Sequence, residues 1–210
     1  MKIRKTVLER NLQREFRLRL RLAIARESIQ VGKLTPMELA RFREMKSGPR
    51  RDSWLKGRSA LKRLLAGFGE GEETSHILFP NSRFSLTHSG DYAAAVGTDR
   101  ARLRGVGIDL ELNRLPRPEA ARFFLNAEEL RWWKRLDRSV GTAELLRLWT
   151  VKEALFKSYP GNREMGLLDF YVEEPEQRGG RAFVRGEPSA EILYCSFPLM
   201  QGALSVAIFS

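Results

Sequence analysis

The stretch Gly105-Val106-Gly107-Ile108-Asp109-Leu110-Glu111-Leu112 constrains this chain more than any other. Acid and aliphatic residues alternate along it, which predicts a strand with Asp109 and Glu111 on one face and Ile108, Leu110 and Leu112 on the other. Some forty residues later, Trp149-Thr150-Val151-Lys152-Glu153-Ala154-Leu155-Phe156-Lys157 reads as a helix. Glu153 and Lys157 then lie four apart on one helix face. Strand and helix together offer three carboxylates and an ammonium group, a seat suited to a divalent cation and a phosphate.

Length and cysteine content bound the remaining possibilities. The 210 residues suffice for one large domain or two small ones with a substantial core. No segment reaches the ~20 apolar residues that span a bilayer, and residues 1–16 carry charge throughout and lack a secretory signal's apolar stretch. Cys195 is the single cysteine, so neither an internal disulfide nor a paired-cysteine redox or metal motif can form. A cytoplasmic protein without a membrane segment is expected.

The formal charge of +11 is unevenly placed. Residues 1–69 hold 19 Lys and Arg against 6 Asp and Glu, while the rest hold 18 against 20. The basic first third would attract a polyanion: nucleic acid, a phosphorylated cofactor or an acidic protein surface.

Residues 16–24 alternate apolar residues with arginine and predict a half-buried strand. Thr35-Pro36-Met37-Glu38 opens a helix with a capping box and proline at its first position, ending near Gly48. A basic helix is predicted over residues 52–66, followed by a glycine- and glutamate-rich loop. Residues 84–97 suggest a hairpin around Ser89-Gly90-Asp91. Further helices are expected over 119–124, after the cap Asn126, and over 144–158, with two closing strands in 191–210. The alternation of strands and helices predicts an α+β fold of two similar α/β lobes, a basic lobe over 1–104 and an acid-bearing lobe over 105–210.

Three carboxylates suit a hard, oxygen-seeking cation such as Mg²⁺, with Mn²⁺ as a substitute. Two histidines, His76 and His88, and one cysteine do not assemble a usual zinc set. Neither a nucleophile-elbow G-x-S-x-G nor a G-x-x-x-x-G-K-[ST] phosphate loop is present.

These residues resemble the paired signature of the 4′-phosphopantetheinyl transferases. Phe84-Ser85-Leu86-Thr87-His88-Ser89-Gly90 and Phe123-Phe124-Leu125-Asn126-Ala127-Glu128 are similar to two further stretches of that family, in the same order. The spacing resembles the long, pseudo-dimeric class typified by the surfactin synthetase activator. The resemblance implies Mg²⁺-dependent transfer of the phosphopantetheine arm of coenzyme A onto a serine of an apo acyl or peptidyl carrier protein, with release of adenosine 3′,5′-bisphosphate. It further implies that Asp109, Glu111 and Glu153 hold the metal and that Lys157 contacts the phosphate and protonates the leaving oxygen. Glu128 is implied as the base or its neighbour, with metal-held water as the competing candidate, and His88 with Thr87 lies near the 3′-phosphate. Among the basic residues ahead of the histidine, Arg51 is the expected phosphate contact, with Lys46 or Arg58 assisting.

Three departures from the family pattern concern the nucleotide contacts, one of them Pro160-Gly161-Asn162-Arg163 in place of the glycine-rich turn usually found after the lysine. Ser53 stands where a basic residue usually precedes the aromatic-leucine pair Trp54-Leu55, and the glycine-lysine-proline stretch ahead of the histidine is missing. The acidic carrier would be steered by the basic lobe, and two lobes in one chain imply a working monomer. The alternatives are a non-catalytic, partner-binding member of the same fold, and a basic nucleic-acid-binding protein. The latter lacks any RNP, KH, zinc-finger or helix-turn-helix pattern, and its aromatics do not interleave with the basic residues.

Overall fold

Helix α1 (Lys5–Phe16) places Leu8, Leu12 and Phe16 on one buried stripe at intervals of four. The computed structural model describes residues 5–46, 48–100, 102–112, 115–199 and 201–210. A turn at Arg17, with φ of 49°, separates α1 from strand β1 (Leu20–Ala25). The predicted strand over residues 16–24 is therefore helix at its start and strand only from Leu20, because Phe16 completes the α1 stripe instead of opening the alternation.

Helix α2 (Pro36–Glu44) has the expected capping box, with Thr35 Oγ1 accepting from the Glu38 N–H and the Glu38 carboxylate accepting from the Thr35 N–H. The basic helix α3 (Gly48–Phe68) is longer at both ends than predicted. Strands β2 (Phe84–Ser89) and β3 (Tyr92–Thr98) form the expected hairpin, with Gly90 at positive φ in the two-residue turn. With β1 they make a three-stranded antiparallel sheet in the order β1-β3-β2.

Strand β4 (Gly105–Leu112) opens a second, five-stranded antiparallel sheet. Its other members are β5 (Phe170–Val172), β6 (Gly179–Val184), β7 (Glu187–Leu199) and β8 (Gly202–Phe209), in the order β4-β8-β7-β6-β5. The segment Pro118–Phe123 is a 3₁₀ turn and not the α-helix expected after Pro116. Asn126 caps the short helix α4 (Ala127–Trp133), and helix α5 (Arg138–Ser158) lies across β4 and β8. Among the described residues no helix is long and apolar enough to cross a membrane.

One apolar cluster runs from Leu8, Leu12 and Phe16 through Leu20, Leu22 and Val96 to Val106, Ile108, Leu110, Leu204 and Val206. It draws on both sheets. Between them, β2 lies against β4 without backbone pairing. The hydroxyls of Ser85, Thr87 and Ser89, spaced by two along β2, accept instead from the backbone N–H groups of Ile108, Leu110 and Leu112, at 3.1, 3.3 and 2.8 Å. Side chains thus satisfy the β4 donors that a neighbouring strand would otherwise have taken.

A buried charged network ties α2 to α3 and to the loop at Thr74. Glu38, fully buried, accepts from the Thr74 N–H and hydroxyl and pairs with Lys62 at 3.0 Å. Burial pushes its carboxyl pKa up, but bonds from Thr74, the Thr35 N–H and Lys62 outweigh this and hold it below the ordinary value of 4.5. A folded-state pKa below the unfolded one contributes stability that is complete above pH 4.5 and is lost as pH falls through the folded value. Glu38→Gln should therefore flatten the acid limb of a stability-against-pH curve measured by urea unfolding.

Candidate functional site

Asp109 is the centre of the site. It lies mid-strand in β4 and is only 4% exposed. Its Oδ1 accepts from Lys157 Nζ at 2.7 Å and from Thr87 Oγ1 at 2.9 Å, while Oδ2 is buried with no hydrogen-bond partner among the described residues. Two glycines set this geometry. A Cβ built on Gly105 would lie 1.6 Å from Ser158 O, and one on Gly107 would lie 1.9 Å from Ala154 O. Bare backbone at both positions lets α5 settle directly on β4, and that brings Lys157, in its last turn, onto Asp109.

Glu111, two residues along the same face, accepts from Ser89 Oγ at 3.3 Å. It also lines a cavity of about 480 Å³ with Leu115, Pro116, Arg117, Ala120 and Trp149. Glu153 stands on α5 one turn before Lys157. Burial raises its pKa; Lys157 works against that rise, and the Asp109 and Glu111 charges reinforce it. The predicted strand face and helix face thus converge, with Asp109, Glu111 and Glu153 within electrostatic reach of one another and Lys157 touching the first.

Among the described residues no three His, Cys, Asp or Glu side chains stand in a ready-made metal cage. The donor chemistry nevertheless fits a hard divalent cation. All the donors are carboxylate oxygens, one buried oxygen lacks a partner among the described residues, and burial, with repulsion from Asp109 and Glu111 added to it, raises the pKa of Glu153.

His88 lies on the opposite side of β2 from Thr87, its ring crowded against α3, where a Cβ on Gly57 would fall 2.6 Å from Nε2. Partial desolvation of the ring there, with the nearby positive charges of Lys157, Arg58 and Lys56, lowers the imidazole pKa against a hydrogen bond to the Ser53 backbone, although the residue as a whole stays exposed. Lys157 also borders a cavity of about 370 Å³ with Phe79, Pro80, Ser85, Leu86, Phe156 and Asn162. Of the cations around His88, Lys157 is paired with Asp109 at 2.7 Å and Lys56 with Asp91 at 3.5 Å.

Four expected residues sit elsewhere or are already engaged. Arg58 is 5% exposed; it donates to the Thr74 carbonyl and hydroxyl at 3.1 and 3.0 Å and stacks on Trp54. Burial takes its pKa down to about 10. Arg51 stacks on Phe42 and reaches the Arg43 carbonyl at 3.5 Å. Lys46 lines an open, basic cavity of about 510 Å³ with Arg41, Glu44, Met45 and Arg50. Glu128 projects from the first turn of α4, its side chain 86% exposed, with Arg131 at 3.8 Å as its partner.

Its neighbour Glu129 does the opposite. Fully buried, it completes the α4 capping box, accepts from the Val172 N–H at 2.8 Å and pairs with the equally buried Lys152 at 2.7 Å. Lys152 Nζ also donates to the Phe170 carbonyl. Reading the sequence did not single out this pair, nor the hydroxyls of Ser85 and Ser89. The only local signal was the spacing by two of Ser85, Thr87 and Ser89.

A model of the 4′-phosphopantetheinyl transferase superfamily matches residues 105–207, the stretch that contains β4, α5 and all three carboxylates. The chain is 35% identical over 124 residues to the 4′-phosphopantetheinyl transferase AcpT of Escherichia coli O157:H7, covering 55% of this chain and 61% of that protein. It is 34% identical over 125 residues to AcpT of Salmonella typhi, covering 55% of this chain and 62% of the relative. The match thus spans about six-tenths of the length of these relatives.

Proposed function

We propose that this chain, whose residues 105–207 belong to the 4′-phosphopantetheinyl transferase superfamily, transfers the 4′-phosphopantetheine arm of coenzyme A to a serine hydroxyl of an apo acyl or peptidyl carrier protein. A bond forms between the serine oxygen and the pantetheine phosphorus. The bond from that phosphorus to the bridging oxygen breaks, adenosine 3′,5′-bisphosphate leaves, and the serine proton is taken up by a base. The observation that carries this reading is the union of Asp109 and Lys157 at 2.7 Å, with Glu111 and Glu153 beside them.

Asp109, Glu111 and Glu153 would hold Mg²⁺, or Mn²⁺ in its place. When bound, the ion supplies neutralisation of charge on the pyrophosphate. Lys157 holds positive charge, and a proton, at the oxygen that departs. Lys56 and the α3 arginines, Arg51 first, make the positive margin for the nucleotide phosphates beside the imidazole of His88, while the engaged Arg58 shapes the loop at Thr74. Glu128, exposed at the start of α4, is the proposed acceptor of the serine proton, where an incoming protein can reach it.

The two lobes divide near residue 104 as a pseudo-dimer within one chain, which works as a cytoplasmic monomer. The basic residues 1–69 then steer the acidic carrier. If they do, the KM for the carrier rises steeply with ionic strength while kcat holds; a salt-independent KM would contradict steering.

Transfer is tested by incubating the protein with coenzyme A, Mg²⁺ and an apo carrier and following the carrier's mass. In that assay Lys157→Ala should lower kcat by about 10²–10³-fold, with a smaller change in the KM for coenzyme A. A rise in KM at unchanged kcat would show that Lys157 only binds.

A further inference from the structure

Two of the three hydroxyls of the β2 ladder meet β4 at two consecutive residues. Thr87 accepts from the Leu110 N–H and donates to the Asp109 carboxylate one residue earlier. Ser89 accepts from the Leu112 N–H and donates to the Glu111 carboxylate one residue earlier. Ser85 accepts from the Ile108 N–H, and the residue one earlier is Gly107, which has no side chain. The same backbone contact is therefore made three times, with a carboxylate attached in only two.

From this repeat we infer that Thr87 and Ser89 are positioning residues for the metal-binding carboxylates, and that Ser85 is a purely structural member of the same ladder. The inference rests on the reading of Asp109 and Glu111 as cation ligands.

The backbone N–H fixes each hydroxyl oxygen, and the hydroxyl proton is then left to one carboxylate oxygen. On Asp109 the hydroxyl and Lys157 both take Oδ1, so Oδ2 is the oxygen left without a partner among the described residues. A carboxylate held by its outer oxygen loses less rotational freedom when it binds an ion, and partners of this kind are commonly worth about 10–100-fold in metal affinity. The ladder also belongs to the first sheet, whereas the acids belong to the second. The orientation of the ligands is in this way tied to the seam between the sheets. Thr87, expected from the resemblance to lie near a coenzyme A phosphate, here has its hydroxyl proton committed to Asp109.

The test measures Mn²⁺ binding to the full chain by calorimetry, without coenzyme A or carrier, alongside urea unfolding. Thr87→Val and Ser89→Ala should each weaken Mn²⁺ binding by about tenfold, and Thr87→Ser should restore it. Ser85→Ala should unfold at lower urea, as the other two do, yet bind Mn²⁺ like the unsubstituted protein. The inference is overturned if Ser85→Ala weakens Mn²⁺ equally, or if folded Thr87→Val and Ser89→Ala bind it unchanged. Should Thr87→Val not fold, Ser89→Ala against Ser85→Ala decides the matter. An unsubstituted protein that takes up no Mn²⁺ would overturn the metal reading itself, and this inference with it.

Discussion

Gly107→Ala is expected to abolish most transfer activity and to cost about 3 kcal/mol or more of stability. The added Cβ would lie 1.9 Å from Ala154 O and 2.8 Å from Ser158 N, both backbone atoms of α5, so no side chain can rotate away to make room. The helix must lift from β4. A displacement of about 1 Å at reacting groups can cost about 10²-fold in rate, and here the groups displaced are Glu153 and Lys157. The measurements are urea unfolding and turnover at saturating substrate. Near-normal stability with near-normal turnover would mean that α5 does not need this approach. The paired glycines of Gly105-Val106-Gly107 therefore act one step before the chemistry: they fix the distance at which the helix's cation meets the strand's acid.

A second large effect is expected at the buried pair Glu129 and Lys152. Glu129→Gln removes the counter-charge from an ammonium that has no solvent contact, and breaking such a pair costs about 3–5 kcal/mol. Burial already lowers the Lys152 pKa against the attraction of Glu129, so the ammonium depends on its partner. The same substitution weakens the bond to the Val172 N–H and the α4 capping box, so α4, α5 and β5 loosen together. Replacing Glu129 and Lys152 together by leucine and methionine should recover much of the loss, because an apolar pair carries no desolvation cost. If Glu129→Gln unfolds within about 1 kcal/mol of the parent, solvent reaches Lys152 and the pair is not a structural clamp.

Local signals reach the elements whose determining residues lie close together along the chain. The capping box at Thr35 and the cap at Asn126 were legible because cap and first turn lie within four residues of one another. Asp109, Glu111, Glu153 and Lys157 were legible because strand and helix periodicities place each set on one face, and the structure unites those faces. Residues 16–19 are not strand, because the apolar residues that claim Phe16, Leu8 and Leu12, lie earlier in α1. The short strands β5 and β6 had no distinctive alternation, since pairing across the sheet makes them and not their own pattern. A count of basic residues could not distinguish Arg58, drawn inside by Thr74 and Trp54, from arginines left facing water. The hydroxyl ladder joins residues 22 or 23 positions apart, and no window along the chain contains both ends.

The claim that unites these features is that the acids of β4 and the lysine of α5 form one transferase site. The most direct measurement is the intact mass of an apo carrier protein after incubation with this protein, coenzyme A and Mg²⁺, with Asp109→Ala run beside it. The expected result is a single phosphopantetheine addition on the carrier's serine, absent with Asp109→Ala even though that variant remains folded. An unmodified mass across fatty-acid, polyketide and peptide carriers, or undiminished transfer by Asp109→Ala, would contradict it.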